Sequence, residues 1–436
     1  MHLGILFVGT AAHDLDGAVA TVRGTTLRRT RRRCGNQTRD VRMTDNPARL
    51  REFRVSVPDA TIDRIIGRVR QYQFPPSPID EGDAWSYGVN SAWLRGLCEY
   101  WTGGYDWRAA EARLNRYPQY LVDLDGVDLH FVKVYGESGG SRPLLLLHGW
   151  PGSHYEFWDL VDRLTFPSRH GGTSGDAFDI VLPSLPGYGF SGSPSRPVGP
   201  RTAAHLMNRL MVDVLGFETY MVQGGDWGAV VGAWMGCDYI EHCAALHLNM
   251  IGWRPTPEDT GAGDLGEEQS IRKAMTAERP RLAYAVQQAA HPQTLGLALH
   301  DSPVGAAAWI LDRFHDWTDL TDRTIDQVYS RDTLLTNVMI YLVTGHIATS
   351  LWAYRGNAEE RAVFSDGIRC KTPTAVARFP YEYIASTPPR SWVERYFNLV
   401  RWTEMPSGGH FAALERPDLL LSDLQAFARQ AYAPPR

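Results

Sequence analysis

The stretch TYMVQGGDWGAVVGAWMG sets an aspartate, Asp226, among glycines at 224, 225 and 228. A β-branched, apolar run enters it and a run of small residues leaves it. That is the strand–turn–helix layout that lifts a nucleophile clear of the backbone, usually written G-x-S-x-G. Here a carboxylate takes the place of the serine. A serine must lose a proton to attack, whereas an aspartate with a pKa near 3.9 is already ionised at neutral pH. A carboxylate is a poor nucleophile toward amides and esters but can displace at a strained or activated sp³ carbon. The product is an ester of the enzyme, which a base-activated water can then hydrolyse.

Other reactive groups follow apolar runs. HGWPGS follows LLLL, Tyr188-Gly189-Phe190-Ser191 follows VLPSLPG, Tyr381 and Glu382 follow TPTAVARFP, and His410 follows LVRWTEMPSGG. In an open α/β sheet, catalytic groups gather at the carboxyl ends of strands. Taken singly, an Asp in a glycine-rich turn is ordinarily a turn residue, and a His after two glycines is ordinarily loop. Taken together, nucleophile, carboxylate and histidine run in the chain order of the α/β-hydrolase triad. On spacing alone Glu382, Glu394 or Glu404 could orient His410. Trp150 in the HGWPGS turn and Trp227, next after Asp226, stand where that fold supplies the two oxyanion-hole N–H groups.

Two electrophiles suit such a nucleophile, and their leaving groups separate them. A halide departs as a stable anion held by indole or amide N–H groups. An epoxide opens to an alkoxide and needs an acid that survives at neutral pH, a role that fits a tyrosine with pKa near 10.

These groups need elements to position them. YLVDLDGVDLHFVKVYG reads as two alternating strands around Asp125-Gly126, a hairpin. Short apolar strands then alternate with helices up to AALHLNM, which implies a mostly parallel sheet covered on both faces. Between about 255 and 350 the strands stop. IRKAM, LAYAVQQAA, GAAAWILDRF and LLTNVMIYLVTGHIATSLWAY read as helices, and strand–helix alternation resumes at TPTAVARFP. Upstream, Phe53, Val55 and Val57 alternate like a strand, Asp59 is placed to cap a helix, and Ile62, Ile65, Ile66 and Val69 share its face. From there to about 118 the chain is rich in Trp and Tyr. It reads as an aromatic meander that packs against something else.

The composition bounds the partners. The 436 residues are 44% hydrophobic with net charge −5, so neither nucleic acid nor an anionic membrane attracts the chain in bulk. Lys133, Lys273 and Lys371 are its only lysines, an arginine bias expected of a GC-rich bacterial gene. Cys34, Cys98, Cys237, Cys243 and Cys370 form no CxxC or Cys/His ligand spacing, which predicts reduced thiols, no metal site and a cytoplasmic location. No run approaches the roughly 20 apolar residues of a membrane span. Residues 1–45 lack periodicity and read as a disordered leader.

From FRVSVPDATI at residue 53 to the C-terminus, the sequence resembles the microsomal-type epoxide hydrolases, which include juvenile-hormone epoxide hydrolases. HGWPGS, GGDWG, DSPVGAAAWILDRF, DTLLTNVMIYLVTG and GGHFAALERPDLL carry the resemblance. It implies an α/β-hydrolase fold with an N-terminal meander over 46–118, core over 119–254 and 356–436, and a helical lid over 255–355. It implies Asp226 as nucleophile, His410 as base, Glu382 rather than Glu394 or Glu404 as its orienting acid, and Tyr284 and Tyr354 as lid acids. Tyr341 is nearby but is expected to be core. The expected activity is cofactor-free hydration of a small apolar epoxide to a vicinal diol. A haloalkane dehalogenase-like enzyme is the alternative, and a non-catalytic relative would have lost Asp226 or His410. Microsomal relatives carry a membrane-anchor helix whose pattern the 1–45 leader lacks. A homodimer is compatible with the chain.

Overall fold

The computed structural model describes residues 50–431, except 83, 140, 254–265, 270–281, 361–367 and 383–387. The leader over 1–45 and the IRKAM helix therefore lie outside the described residues. Strands β1 (Arg51–Phe53), β2 (Gln119–Leu124), β3 (Val127–Val134), β4 (Arg142–Leu147), β5 (Phe178–Pro183), β6 (Tyr220–Gly224), β7 (Cys243–Leu248), β8 (Cys370–Arg378) and β9 (Phe397–Glu404) form one sheet. Its order is β1-β2-β3-β5-β4-β6-β7-β8-β9. The pairs from β1 to β5 are antiparallel, and those from β5 through β4 to β9 are parallel. Every residue of β4 and β6 is buried, as befits strands covered on both faces.

The Asp125-Gly126 hairpin forms between β2 and β3. Asp125 and Gly126 have φ of 54° and 81°, and the two positive values are those of a turn whose twist matches its strands. That turn sets the register Leu124↔Val127. Two upstream expectations need correction. Pairing stops at Phe53, and the backbone of Val55 and Val57 is held instead by side chains: Asn115 Oδ1 accepts the Val55 N–H at 2.8 Å and Glu111 Oε1 the Val57 N–H at 2.7 Å. Asp59 is not a cap. Pro58 precedes the helix Asp59–Arg70 and Asp59 lies in its first turn, where a negative charge still complements the helix dipole.

The aromatic meander packs on the helical insert between β7 and β8. Trp101 and Trp107 are buried. Four of the others, Trp85, Trp93, Tyr100 and Tyr105, tie the two regions together. Trp85 stacks on His315 with ring centres 3.9 Å apart. Trp93 Nε1 donates to Asp326 at 2.8 Å, Tyr100 to Asp332 at 2.8 Å, and Tyr105 pairs with Thr336 at 3.1 Å. Each such bond adds roughly 0.5–1.5 kcal/mol.

The insert contains helices Ala283–Ala290, Pro292–Asp301, Pro303–Trp317, Arg331–Thr344, Ile347–Ser350 and Trp352–Glu360. The run read as one helical stretch, LLTNVMIYLVTGHIATSLWAY, is broken at Gly345, whose φ of 75° ends the first helix. The chain bends there by 102°. The last of these helices runs past residue 355, the expected end of the lid. No single helix among the described residues is long and apolar enough to cross a membrane.

Candidate active site

One residue, Gly225, separates β6 from Asp226, which opens the helix Asp226–Asp238. Its φ is +48°, an uncommon backbone for a residue with a side chain. Strain of this kind costs on the order of 1–3 kcal/mol and persists where the surroundings over-determine it. Here they do. The Trp150 N–H, from the turn after β4, donates to Asp226 Oδ1 at 2.7 Å, and the Trp227 N–H also donates to this carboxylate. Gly149 has to be glycine, because a Cβ there would lie 2.1 Å from Asp226 Oδ1. Burial raises the Asp226 carboxyl above its usual range, while His410 and the two amides pull it back.

Glu382 and His410 come from the turns after β8 and β9. A parallel bridge between Tyr381 and Gly409 holds these turns side by side. Glu382 Oε2 lies 2.8 Å from His410 Nδ1, which leaves Nε2 facing Asp226 Oδ2 at 3.6 Å. Burial opposes the imidazolium, but Glu382, with Asp226 and Glu156 behind it, outweighs burial and holds His410 up at about 9. The structure therefore brings Asp226, Glu382 and His410 together. Glu394 bonds to Arg390 and Glu404 to Arg378 and Trp402, and neither meets His410.

The insert roofs these groups with aromatic rings. Tyr284 stacks on Trp150 with centres 5.4 Å apart, and Tyr354 stands edge-on to Trp227 at 4.8 Å and to Tyr284 at 5.8 Å. Both tyrosines are buried. The Tyr354 hydroxyl makes no hydrogen bond of ordinary geometry, and burial lifts its pKa well above 10, with Tyr284 and Asp226 adding to the effect. Tyr341 is buried on the helix before the break, and its hydroxyl donates to the Gly152 carbonyl.

Reading the sequence missed three groups here. Trp317, at the end of a lid helix, packs its ring 5.0 Å from His410 and 5.1 Å from Tyr284. Glu415 is buried, and its carboxylate accepts the N–H of Gly409, Phe411 and Asp319 at 2.9, 3.0 and 2.9 Å, which clamps the loop carrying His410. Glu156, four residues past Gly152, is pushed up to about 8 by burial, with His410 acting against and Asp226 and Glu415 with it. Acids placed just after HGWPGS and just after the GGH turn were the signal available for Glu156 and Glu415.

Residues 50–157 match the family described as epoxide hydrolase N terminus, and residues 142–316 match the alpha/beta hydrolase fold family. Epoxide hydrolase 1 of Sus scrofa is 34% identical over 405 residues, covering 87% of this chain and 88% of that protein. Juvenile hormone epoxide hydrolase 1 of Ctenocephalides felis is 34% identical over 399 residues, covering 86% and 84%. The solved epoxide hydrolase of Aspergillus niger superposes with a TM-score of 0.74 at 32% identity, over 88% of this chain and 97% of its own. The juvenile hormone epoxide hydrolase of the silkworm Bombyx mori gives 0.77 at 28% identity, over 88% and 95%. A relative that is this similar over nearly its whole length, on an α/β-hydrolase sheet, shows that the chain belongs to the epoxide hydrolase family.

Proposed function

We propose that this protein adds water to an apolar epoxide to give a vicinal diol, through an ester on Asp226. Asp226 Oδ2 attacks one epoxide carbon and the C–O bond breaks. Tyr284 and Tyr354 hydrogen-bond to the departing oxygen, and one of them protonates it. His410, oriented by Glu382, takes a proton from water, and the hydroxide oxygen attacks Cγ of the ester. The oxyanion forms on Oδ1, which the Trp150 amide meets, and the Trp227 amide adds its donor to the same carboxylate. Collapse releases the diol, and the proton on the new carboxyl oxygen returns to the tyrosinate, which restores the carboxylate. The N-terminal meander over 46–118 and the helices over 255–355 serve as wrap and lid. The ring-lined roof suits an apolar, aryl-bearing substrate.

The observation that carries this reading is one carboxylate with its two oxygens in different company. Oδ1 sits on the Trp150 amide at 2.7 Å, and Oδ2 faces His410 at 3.6 Å, with Tyr284 packed on the ring of Trp150 and Tyr354 on that of Trp227. The test compares diol formation from styrene oxide with halide release from a bromoalkane. Halide release without diol would turn the assignment to a dehalogenase. A single turnover in ¹⁸O-water should label the Asp226 carboxylate and leave the diol unlabelled. Label in the first diol would mean direct attack by water. His410→Ala should accumulate one equivalent of ester, mapped to Asp226.

A further inference from the structure

We infer that Glu156 is a further catalytic residue of the second half-reaction: its carboxylate accepts a hydrogen bond from the attacking water and aims that water at the Asp226 ester. The inference rests on the covalent reading above and deepens it.

The geometry begins with the turn after β4. At one end, Gly149 and the Trp150 N–H press on Asp226 Oδ1. Three residues on, a Cβ built on Gly152 would lie 2.7 Å from Glu156 Oε2. The turn itself is held still. The Gly152 carbonyl accepts from Tyr341, the Pro151 carbonyl accepts from Asn337 Nδ2 at 2.8 Å, and Ser153 Oγ donates to Asn337 Oδ1 at 2.8 Å. Glu156 then sits on the short turn His154–Phe157, where its N–H donates to the Ser153 carbonyl at 2.9 Å. Nucleophile and Glu156 are thus fixed against opposite ends of one rigid loop.

The charged and titratable groups coupled electrostatically to Glu156 come from several elements. They are His410 after β9, Asp226 after β6, Glu415 on the short helix Ala412–Glu415, and the phenols of Tyr329 and Tyr341 from the insert. Among them only His410 can be cationic. Tyr155 and Phe157, on either side, are buried, while Glu156 keeps a part-exposed surface. Among the described residues its carboxyl makes no side-chain hydrogen bond. An interior carboxyl without a protein partner is costly unless water satisfies it. The 3.6 Å between His410 Nε2 and Asp226 Oδ2 is longer than a good hydrogen bond. A water bonded to Nε2 and to Glu156 has two acceptors for its two hydrogens and a lone pair left for carbon.

The step balances without a co-reactant. One water proton goes to His410 Nε2, and the water oxygen bonds to Cγ. The carbonyl π pair moves to Oδ1 on the Trp150 amide, and the second water hydrogen stays on its bond to Glu156. On collapse, the Cγ–O(alkyl) bond breaks, the alkoxide takes the proton from His410, and the hydrogen left on the new carboxyl oxygen returns to the phenolate formed in alkylation, so Asp226 is again a carboxylate. Alkylation prepares both partners. It removes the Asp226 charge, which had raised His410 and Glu156 alike. With it gone, His410 loses its proton more readily and becomes a base, and Glu156 ionises more readily and becomes an acceptor.

The test measures the two half-reactions separately in Glu156→Gln and Glu156→Asp, by rapid quench with excess styrene oxide and by intact-protein mass. Alkylation should stay within about threefold of wild type while ester hydrolysis slows at least about tenfold, so that ester accumulates. Glu156→Asp should recover part of the loss. The pH midpoint of hydrolysis should shift in Glu156→Gln and not in a stability-matched core variant such as Val161→Ala. Hydrolysis at the wild-type rate in both variants would overturn the inference, and so would equal slowing of both half-reactions. His410→Ala separates the two levels. If it traps no ester, the covalent reading fails. If it traps ester while Glu156→Gln hydrolyses normally, only the role of Glu156 fails.

Discussion

Asp226 and the groups facing it divide one reaction by charge state. Before alkylation Asp226 must be ionised, and burial raises its pKa. The value of kcat/KM, which reports the free enzyme, should therefore fall on the acid side at a pH above the usual carboxylate range. Ester hydrolysis needs neutral His410. In the free enzyme His410 is held up at about 9, in part by Asp226. Esterification removes that charge, so the hydrolysis rate should rise with pH to a midpoint below about 9. Single-turnover hydrolysis measured from pH 6 to 10 reads this midpoint, and a value above 9 would contradict the charge argument. The tyrosines act in the other half-reaction. Tyr284→Phe or Tyr354→Phe should slow alkylation, and the double variant should lose roughly 10²–10⁴-fold. Unchanged alkylation in the double variant would remove both phenols from the mechanism.

The element that delivers Tyr354 is a helix broken on purpose by its sequence. Tyr341 and Tyr354 lie on the two arms of a 102° bend at Gly345, one on the Gly152 carbonyl and the other over Trp227. A side chain at Gly345 would have to adopt φ of 75°, and its Cβ would lie 3.2 Å from His300 Cε1. Gly345→Ala should cost roughly 1–2 kcal/mol, read as a lower urea midpoint at unchanged slope. Alkylation should suffer more than ester hydrolysis, since the tyrosine arm moves and the His410 loop does not. Equal loss in both half-reactions would show that the bend serves stability alone.

At the scale of the whole molecule, three neutral histidines cluster at the HGWPGS turn: His148 opens it, His154 follows it and His130 comes from β3. His130 shares Ser184 Oγ with His154 at 3.0 and 3.3 Å and bonds Gln119 Oε1 at 2.9 Å, while His148 Nε2 accepts the Leu185 N–H at 3.1 Å. All three are buried. Burial depresses His130 to about 3 and His148 to about 4, and pushes His154 well below its ordinary value, each helped or opposed only weakly by neighbours. In the unfolded chain they titrate near 6.5. Between those values the unfolded state binds more protons, so stability rises with pH. It should fall by about 1.4 kcal/mol per pH unit for each histidine once the pH drops below about 6.5. Urea midpoints from pH 7.5 to 5.0 measure this slope, and a flat profile would show that the cluster is hydrated and ionises in place.

Local chemistry settled much of this protein in its sequence. Periodicity separates the alternating strands around Asp125-Gly126 from the continuous apolar run of β4, because a strand covered on one face and a strand covered on both select different residues. Reactive side chains at strand ends are legible because a parallel sheet sends its strand ends to one edge. Packing decided the rest. Spacing left Glu382, Glu394 and Glu404 equal, and only the bridge between Tyr381 and Gly409 sets one of them against His410. A run of helix-forming residues does not state the direction taken after Gly345, since a bend is fixed by what each arm buries. Asp59 resembled a cap because propensity is local, while Pro58 ahead of it already fixed the entry to the helix. Glu156 and Glu415 were two acids among many in the chain. Their surroundings are assembled from residues distant in sequence, and burial among those residues is what sets the protonation of a carboxyl group.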